Sequence, residues 1–248
     1  MHFDKEAYKI AKSRIISLIQ STHDWENTEG FIADGVICPD VYQEQHLRVL
    51  CILAESYGYA GCKMKDIEDQ REQDVLGLTK WDVGTPRRLA SLLYLLQQSA
   101  EIGAKLTLED FLKLSLFKFT EKNMLILQDV LSKIAWMNVK KASNGNGTKL
   151  NVSDFRVHAR RNQEVLRQQI EAIAPNLILV CGEAAFRALY ELRLLGPELS
   201  LARKWKMQVV RDGVRVIEVT HPGYFRWAGY PYIYKSFDCI YTQLASRE

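Results

Sequence analysis

The sequence predicts an α/β fold: a three-layer sandwich with a central, mostly parallel four-stranded sheet flanked by helices, plus an N-terminal helix. Three observations predict it. Short runs at 48–54, 134–138, 177–181 and 214–219 are largely apolar, as strands covered on both faces must be. Between them the spacing of apolar residues turns helical, and strands alternating with helices make a parallel sheet with helices on both faces. Each run ends on a polar or small residue, giving Glu55, Asn138, Gly182 and His221 in turn.

The chain has 248 residues, of which 47% are hydrophobic, enough for a sizeable core. No internal repeat and no separating linker appears, so the sequence is taken as one domain over 1–248, with 1–24 as an N-terminal helical extension. The net charge of +3 is compatible with a nucleic-acid partner but does not argue for one alone. No apolar run approaches the ~20 residues of a membrane span. The start, Met1-His2-Phe3-Asp4-Lys5-Glu6, lacks the plan of a signal peptide. Five cysteines are scattered without a Cys-x-x-Cys pair, which leaves no zinc-ribbon or iron–sulfur pattern. The expectations are a reduced, cytoplasmic protein with no membrane association, no metal and no cofactor.

In chain order, residues 3–20 read as a helix with Ile10, Ile15, Leu18 and Ile19 on one face. Residues 31–42 carry turn signals at Asp34-Gly35 and at Pro39. The strand at 48–54 runs into Glu55-Ser56-Tyr57-Gly58-Tyr59-Ala60-Gly61, whose glycines and tyrosines suggest a ligand loop. Thr85 and Pro86 suit the start of a helix bearing the stripe Leu89, Leu92, Leu93, Leu96. Helices follow at 107–117 and 121–132. The strand at 134–138 ends on Asn138, before Lys140, Lys141 and a polar, glycine-rich loop. A helix at 153–173 carries Arg156, Arg160 and Arg161 and stops at Pro175; after the next strand, Gly182 turns the chain into a helix at 183–195. Residues 205–219 read as a hairpin turning at Asp212-Gly213. His221-Pro222-Gly223-Tyr224-Phe225 places an imidazole and two aromatic residues in an expected exposed loop, and a last helix spans about 232–245.

In a parallel sheet the ligand sits at the carboxyl ends of the strands. Convergence there would join a carboxylate, an amide and an imidazole, a workable set for acid/base or electrostatic catalysis.

The ordered set resembles the uracil-DNA glycosylase superfamily over most of the chain, from about Trp25 onward. The first family motif, Gly-Gln-Asp-Pro-Tyr in its best-known branch, is met here by Leu53-Ala54-Glu55-Ser56-Tyr57. The family's base-reading asparagine ends a strand, as Asn138 does. Its His-Pro-Ser motif and following wedge residue are met by His221-Pro222-Gly223-Tyr224-Phe225. The segment Val180-Cys181-Gly182-Glu183-Ala184-Ala185 is also similar to the family's. This chain departs from the pattern at Glu55 for aspartate, Leu53 for glycine, Ser56 for proline and Gly223 for serine, and it lacks the cysteines of the iron–sulfur branches.

The resemblance implies a monofunctional DNA glycosylase. It would flip out a damaged or modified pyrimidine (uracil, or a hypermodified cytosine of phage DNA as antiviral defence) and hydrolyse the N-glycosidic bond to leave an abasic site. Glu55 would orient the water and stabilise the sugar cation, and His221 would donate a hydrogen bond to the base carbonyl. Asn138 would read the Watson–Crick edge, Tyr57 would wall the pocket and Trp81 would stack on the base. Phe225 would be the wedge, with Lys140, Lys141, Arg156, Arg160 and Arg226 as phosphate contacts. The implied partner is DNA, with no obligate protein partner evident. The alternative is a non-catalytic DNA-binding module that keeps the fold. Plainer readings stand beside each residue: a turn for His221 and Asn138, a cap for Glu55, packing for Trp81 and Phe225, and a solvated face for the arginines. Cys181 with His221 as a thiol hydrolase is disfavoured by the apolar neighbours of Cys181.

Overall fold

The computed structural model of the chain describes residues 2–22, 34–54, 85–116, 120–141, 150–201 and 206–246. The strands are β1 (Gly35–Val36), β2 (Val49–Leu53), β3 (Ile134–Asn138), β4 (Leu177–Cys181), β5 (Gln208–Val209) and β6 (Arg215–Val219). They form one sheet in the order β1-β3-β2-β4-β6-β5. The inner four, β3-β2-β4-β6, are parallel, while β1 and β5 add antiparallel to the two edges. The sheet is therefore six-stranded and mixed, and its parallel centre consists of the four runs read from the sequence. β5 is the first arm of the hairpin expected over 205–219, which turns at Arg211–Gly213 into β6, while β1, two residues long, is too short for an apolar period to reveal it.

The α-helices among the described residues are α1 (Lys5–Thr22), α2 (Pro39–Gln43), α3 (Thr85–Ile102), α4 (Leu108–Leu114), α5 (Glu121–Ser132), α6 (Val152–Arg161), α7 (Gln163–Ile173), α8 (Glu183–Glu191) and α9 (Phe225–Ala245). Side chains alternate across the sheet, and the alternation sorts the core into two layers. Val49, Cys51, Leu53, Ile134, Trp136, Leu177 and Leu179 pack with residues of α3, α4, α5 and α9. Leu50, Ile52, Ala135, Met137, Ile178 and Val180 pack with α1, α2, α6, α7 and α8. Helices thus cover both faces. No helix among the described residues is long and apolar enough to cross a membrane.

Several boundaries differ from the sequence reading. The 153–173 helix is two helices, α6 and α7, broken at the buried Asn162, whose backbone leaves the helical region at ψ 7°. The 183–195 helix ends at Glu191, and Arg193 beyond it takes a left-handed φ of 51°. The last helix begins at Phe225, not near 232, and runs through Pro231. One proline removes one backbone donor, which packing of α9 against α3 and α4 outweighs. Phe3, just before α1, and Tyr8 and Ile15 within it are buried, and Ile10 is exposed. The Tyr8 hydroxyl accepts from the Val36 amide at 2.7 Å and fills the space that a Cβ on Gly35 would need. That contact ties α1 to β1 and fixes where Asp34 enters the sheet.

Candidate functional site

Numbered among themselves, the parallel strands run 2-1-3-4. The chain adds β3 on one side of β2 and then β4 and β6 on the other, so the order reverses at β2. Such a switch point opens a crevice beyond the carboxyl ends of the strands. Asn138 closes β3 in register with Leu53, and His221 lies two residues past β6. Strands stand ~4.8 Å apart, so β3 and β6 bracket β2 and β4 with about 14 Å between their axes.

On the β6 side, backbone groups hold His221. Its Nδ1 accepts from the Gly223 amide at 3.0 Å. Desolvation of this half-buried ring pushes its pKa down to about 4, so the imidazole is neutral at physiological pH. With Nδ1 occupied as an acceptor, the single ring proton resides on Nε2, and that atom is a donor. Gly182, just past β4, packs against the ring: a Cβ there would meet His221 Cβ at 3.3 Å. Its backbone, at φ 102° and ψ 153°, lies in a region only glycine occupies readily. The buried Arg88 of α3 donates through Nη1 to the carbonyls of Pro222 and Gly223, each at 3.4 Å. The Thr220 and Tyr232 hydroxyls bond at 3.0 Å, joining the end of β6 to α9.

On the β3 side, a charged network holds Asn138. Asp34 Oδ2 accepts from the Asn138 backbone amide and, at 3.0 Å, from its Nδ2. Asp34 Oδ1 accepts from Lys141 Nζ at 2.6 Å and Gln169 Nε2 at 2.8 Å. The side chains of Lys141 and Asp34 are only 1% and 2% exposed, so this is a fully desolvated ion pair. Asn138 is itself 1% exposed, and its Oδ1 makes no hydrogen bond among the described residues.

This arrangement corrects the assignment of both lysines to phosphate. Lys141 is spent inside the protein on Asp34. Lys140, with its side chain 4% exposed, pairs with Asp154 in the first turn of α6. The amide of Lys140 continues the β2–β3 ladder to the Ala54 carbonyl at 2.9 Å, which draws the segment inward. In α6, Arg156, Arg160 and Arg161 are exposed, Arg156 lying 3.8 Å from Glu191.

Glu55, Tyr57 and Trp81 lie outside the described residues. The expected exposed loop at 221–225 is a tight 3-10 turn over Pro222–Tyr224 running directly into α9, which puts the backbone of Phe225 and Arg226 in the first turn of that helix. Thus Asn138 and His221 stand at two ends of one sheet edge. Cys181 is buried, and desolvation pushes its thiol up to about 12, which removes it as a nucleophile.

Three residues were missed by sequence reasoning: Asp34, Arg88 and Lys141 in its buried role. Asp34-Gly35 read as a turn, and nothing local marks a carboxylate that acts 104 residues away. Arg88 sits beside Leu89 of the apolar stripe, so its position on the buried face was the available signal. No protein-family model and no curated protein matches the chain.

Proposed function

We propose that this chain is a monofunctional DNA glycosylase of the uracil-DNA glycosylase fold, acting on a damaged or modified pyrimidine flipped from DNA. The observation that carries the reading is His221: a neutral imidazole with its proton on Nε2, held at the end of the last parallel strand across the switch point from Asn138. A leaving base collects negative charge on its carbonyl oxygen, and a fixed neutral donor stabilises that charge through a hydrogen bond while keeping its own proton. In the reaction, water oxygen bonds to the sugar C1′, the C1′–N bond breaks, and the base departs with the electron pair. The sugar carries positive charge on the way. Glu55 answers that charge and takes the proton of the attacking water. Asn138 reads the base edge, Tyr57 walls the pocket, Trp81 stacks, and Phe225 fills the gap left in the duplex. With Lys140 and Lys141 committed internally, Arg226 and the exposed Arg156 and Arg160 are the phosphate contacts.

The test is incubation with duplexes carrying uracil, 5-hydroxymethylcytosine or its glucosylated form, followed by alkali cleavage at abasic sites. Cleavage above the level of a Glu55→Gln, His221→Ala double variant supports the reading, and its absence on every substrate ends it. The replacement of the family's aspartate by Glu55 favours one other reading, a DNA-binding module without chemistry. That reading requires salt-dependent DNA binding indifferent to Glu55→Gln, with no base released.

A further inference from the structure

The buried Asp34 carboxylate accepts four hydrogen bonds from described groups, and two of the four come from Asn138. The geometry points to Asp34 as a positioning residue that locks the Asn138 side-chain amide in one orientation and so decides which hydrogen-bond pattern the crevice reads. The inference rests on the glycosylase reading for its functional meaning, though the lock is a separate physical claim.

A carboxamide carries two N–H protons and one carbonyl oxygen. Asp34 Oδ2 reaches both the backbone N and the Nδ2 of Asn138, so it takes the amide proton on the Cβ side. The edge turned away from Asp34, here called the outer edge, consists of Oδ1 and the N–H beside it, and Oδ1 makes no hydrogen bond among the described residues. Turning the amide by half a rotation would bring Oδ1 against the Asp34 carboxylate, acceptor against acceptor. Lys141 and Gln169 hold that carboxylate in place, so it cannot swing aside. The turn would also exchange donor and acceptor on the outer edge. A base with an N3–H and a 4-carbonyl requires one order, and a base with an N3 acceptor and a 4-amino group requires the other. Without Asp34, one asparagine would serve both; with it, the site is committed to one.

The experiment uses the full chain, wild type beside Asp34→Asn, with Asp34→Asn/Lys141→Met as a second variant that removes both charges together. An asparagine at 34 both donates and accepts, so it permits either orientation of Asn138. Thermal melting establishes that a variant is folded. Nitrogen-15 spectra then follow the two Nδ2 protons of Asn138. In the wild type one is protected from solvent exchange and well separated in shift from the other; in a folded variant the protection is lost. In parallel, base release is compared between duplexes with uracil and with 5-hydroxymethylcytosine. A wild-type preference of about 10- to 100-fold, the worth of one bidentate reading, falls toward unity in the variant. Unchanged amide signals in a folded variant overturn the lock, whatever the activity. Altered signals with a retained base preference overturn its role in specificity. Altered signals with no base release from any DNA by the wild type uphold the lock and remove the glycosylase reading instead.

Discussion

The two ends of the sheet edge are held by opposite means. Among the described residues, the His221 side chain is held by backbone groups, the Gly223 amide two residues on and the close approach of Gly182, while the guanidinium of Arg88 grips the turn beyond it. Asn138 is held by formal charges brought from far along the chain, Asp34 from 104 residues away, with Lys141 and Gln169 fixing Asp34 in turn. On the proposed glycosylase reading, the difference follows from what each side would do. A hydrogen-bond donor to a developing anion needs a fixed protonation state, and desolvation supplies it. A reader of base edges needs a fixed orientation, and a charge supplies that better than a neutral partner, because the wrong orientation then meets repulsion.

The comparison can be broken most severely on the charged side. Lys141→Met leaves the Asp34 carboxylate buried without its counter-ion, which costs about 3–5 kcal/mol. Urea unfolding measures it, and adding Asp34→Asn to the same chain recovers most of the loss. An unchanged urea midpoint for Lys141→Met would mean that the pair contributes nothing. On the neutral side, Gly182→Ala forces a side chain into a glycine-only backbone conformation and against His221 Cβ, at a cost of about 1–3 kcal/mol. The same variant displaces the ring, so the His221 resonances shift with the melting temperature; a melting change without a resonance change would separate the glycine from the imidazole. Lys140→Ala sharpens the contrast between the adjacent lysines. Its partner Asp154 is 40% exposed, and water takes over much of the lost interaction, so the loss is about 1 kcal/mol. Equal losses at 140 and 141 would refute the distinction between them.

His221 also couples to pH. Its folded pKa of about 4 lies below the ordinary 6.5, so between these values the unfolded chain binds the proton more readily. Its contribution to stability is therefore complete above pH 6.5 and is lost as pH falls toward 4. Replacing His221 with Asn flattens that part of the stability curve.

The parallel centre of the sheet was legible because a strand buried on both faces leaves an unbroken apolar run, as at Leu177–Cys181. The His221 end was legible in its place, since Pro222 marks where pairing stops, but not in its form: the loop expected at 221–225 is a tight 3-10 turn, and Arg88, which grips it, was not read. Of the edge strands, β5 was legible through the Asp212-Gly213 turn that pairs it with β6, and β1 was not, since two residues carry no period. The Asn138 end was half legible. Its place at the end of β3 could be read, but the carboxylate that holds it is invisible to any local window. Lys140 and Lys141 misled for the same reason. Two lysines before a glycine-rich stretch look like a solvated basic patch, and only the β2–β3 register and the partners Asp154 and Asp34 turn them inward. Local neutral contacts leave a trace in sequence; distant charged ones do not.

The central claim concerns the state of one ring, and carbon-13 and nitrogen-15 spectra of His221 across pH 3 to 8 test it directly. The account predicts a midpoint near 4, with Nε2 protonated and Nδ1 bare above it. A midpoint at 6.5 or higher, or a proton on Nδ1, would contradict it.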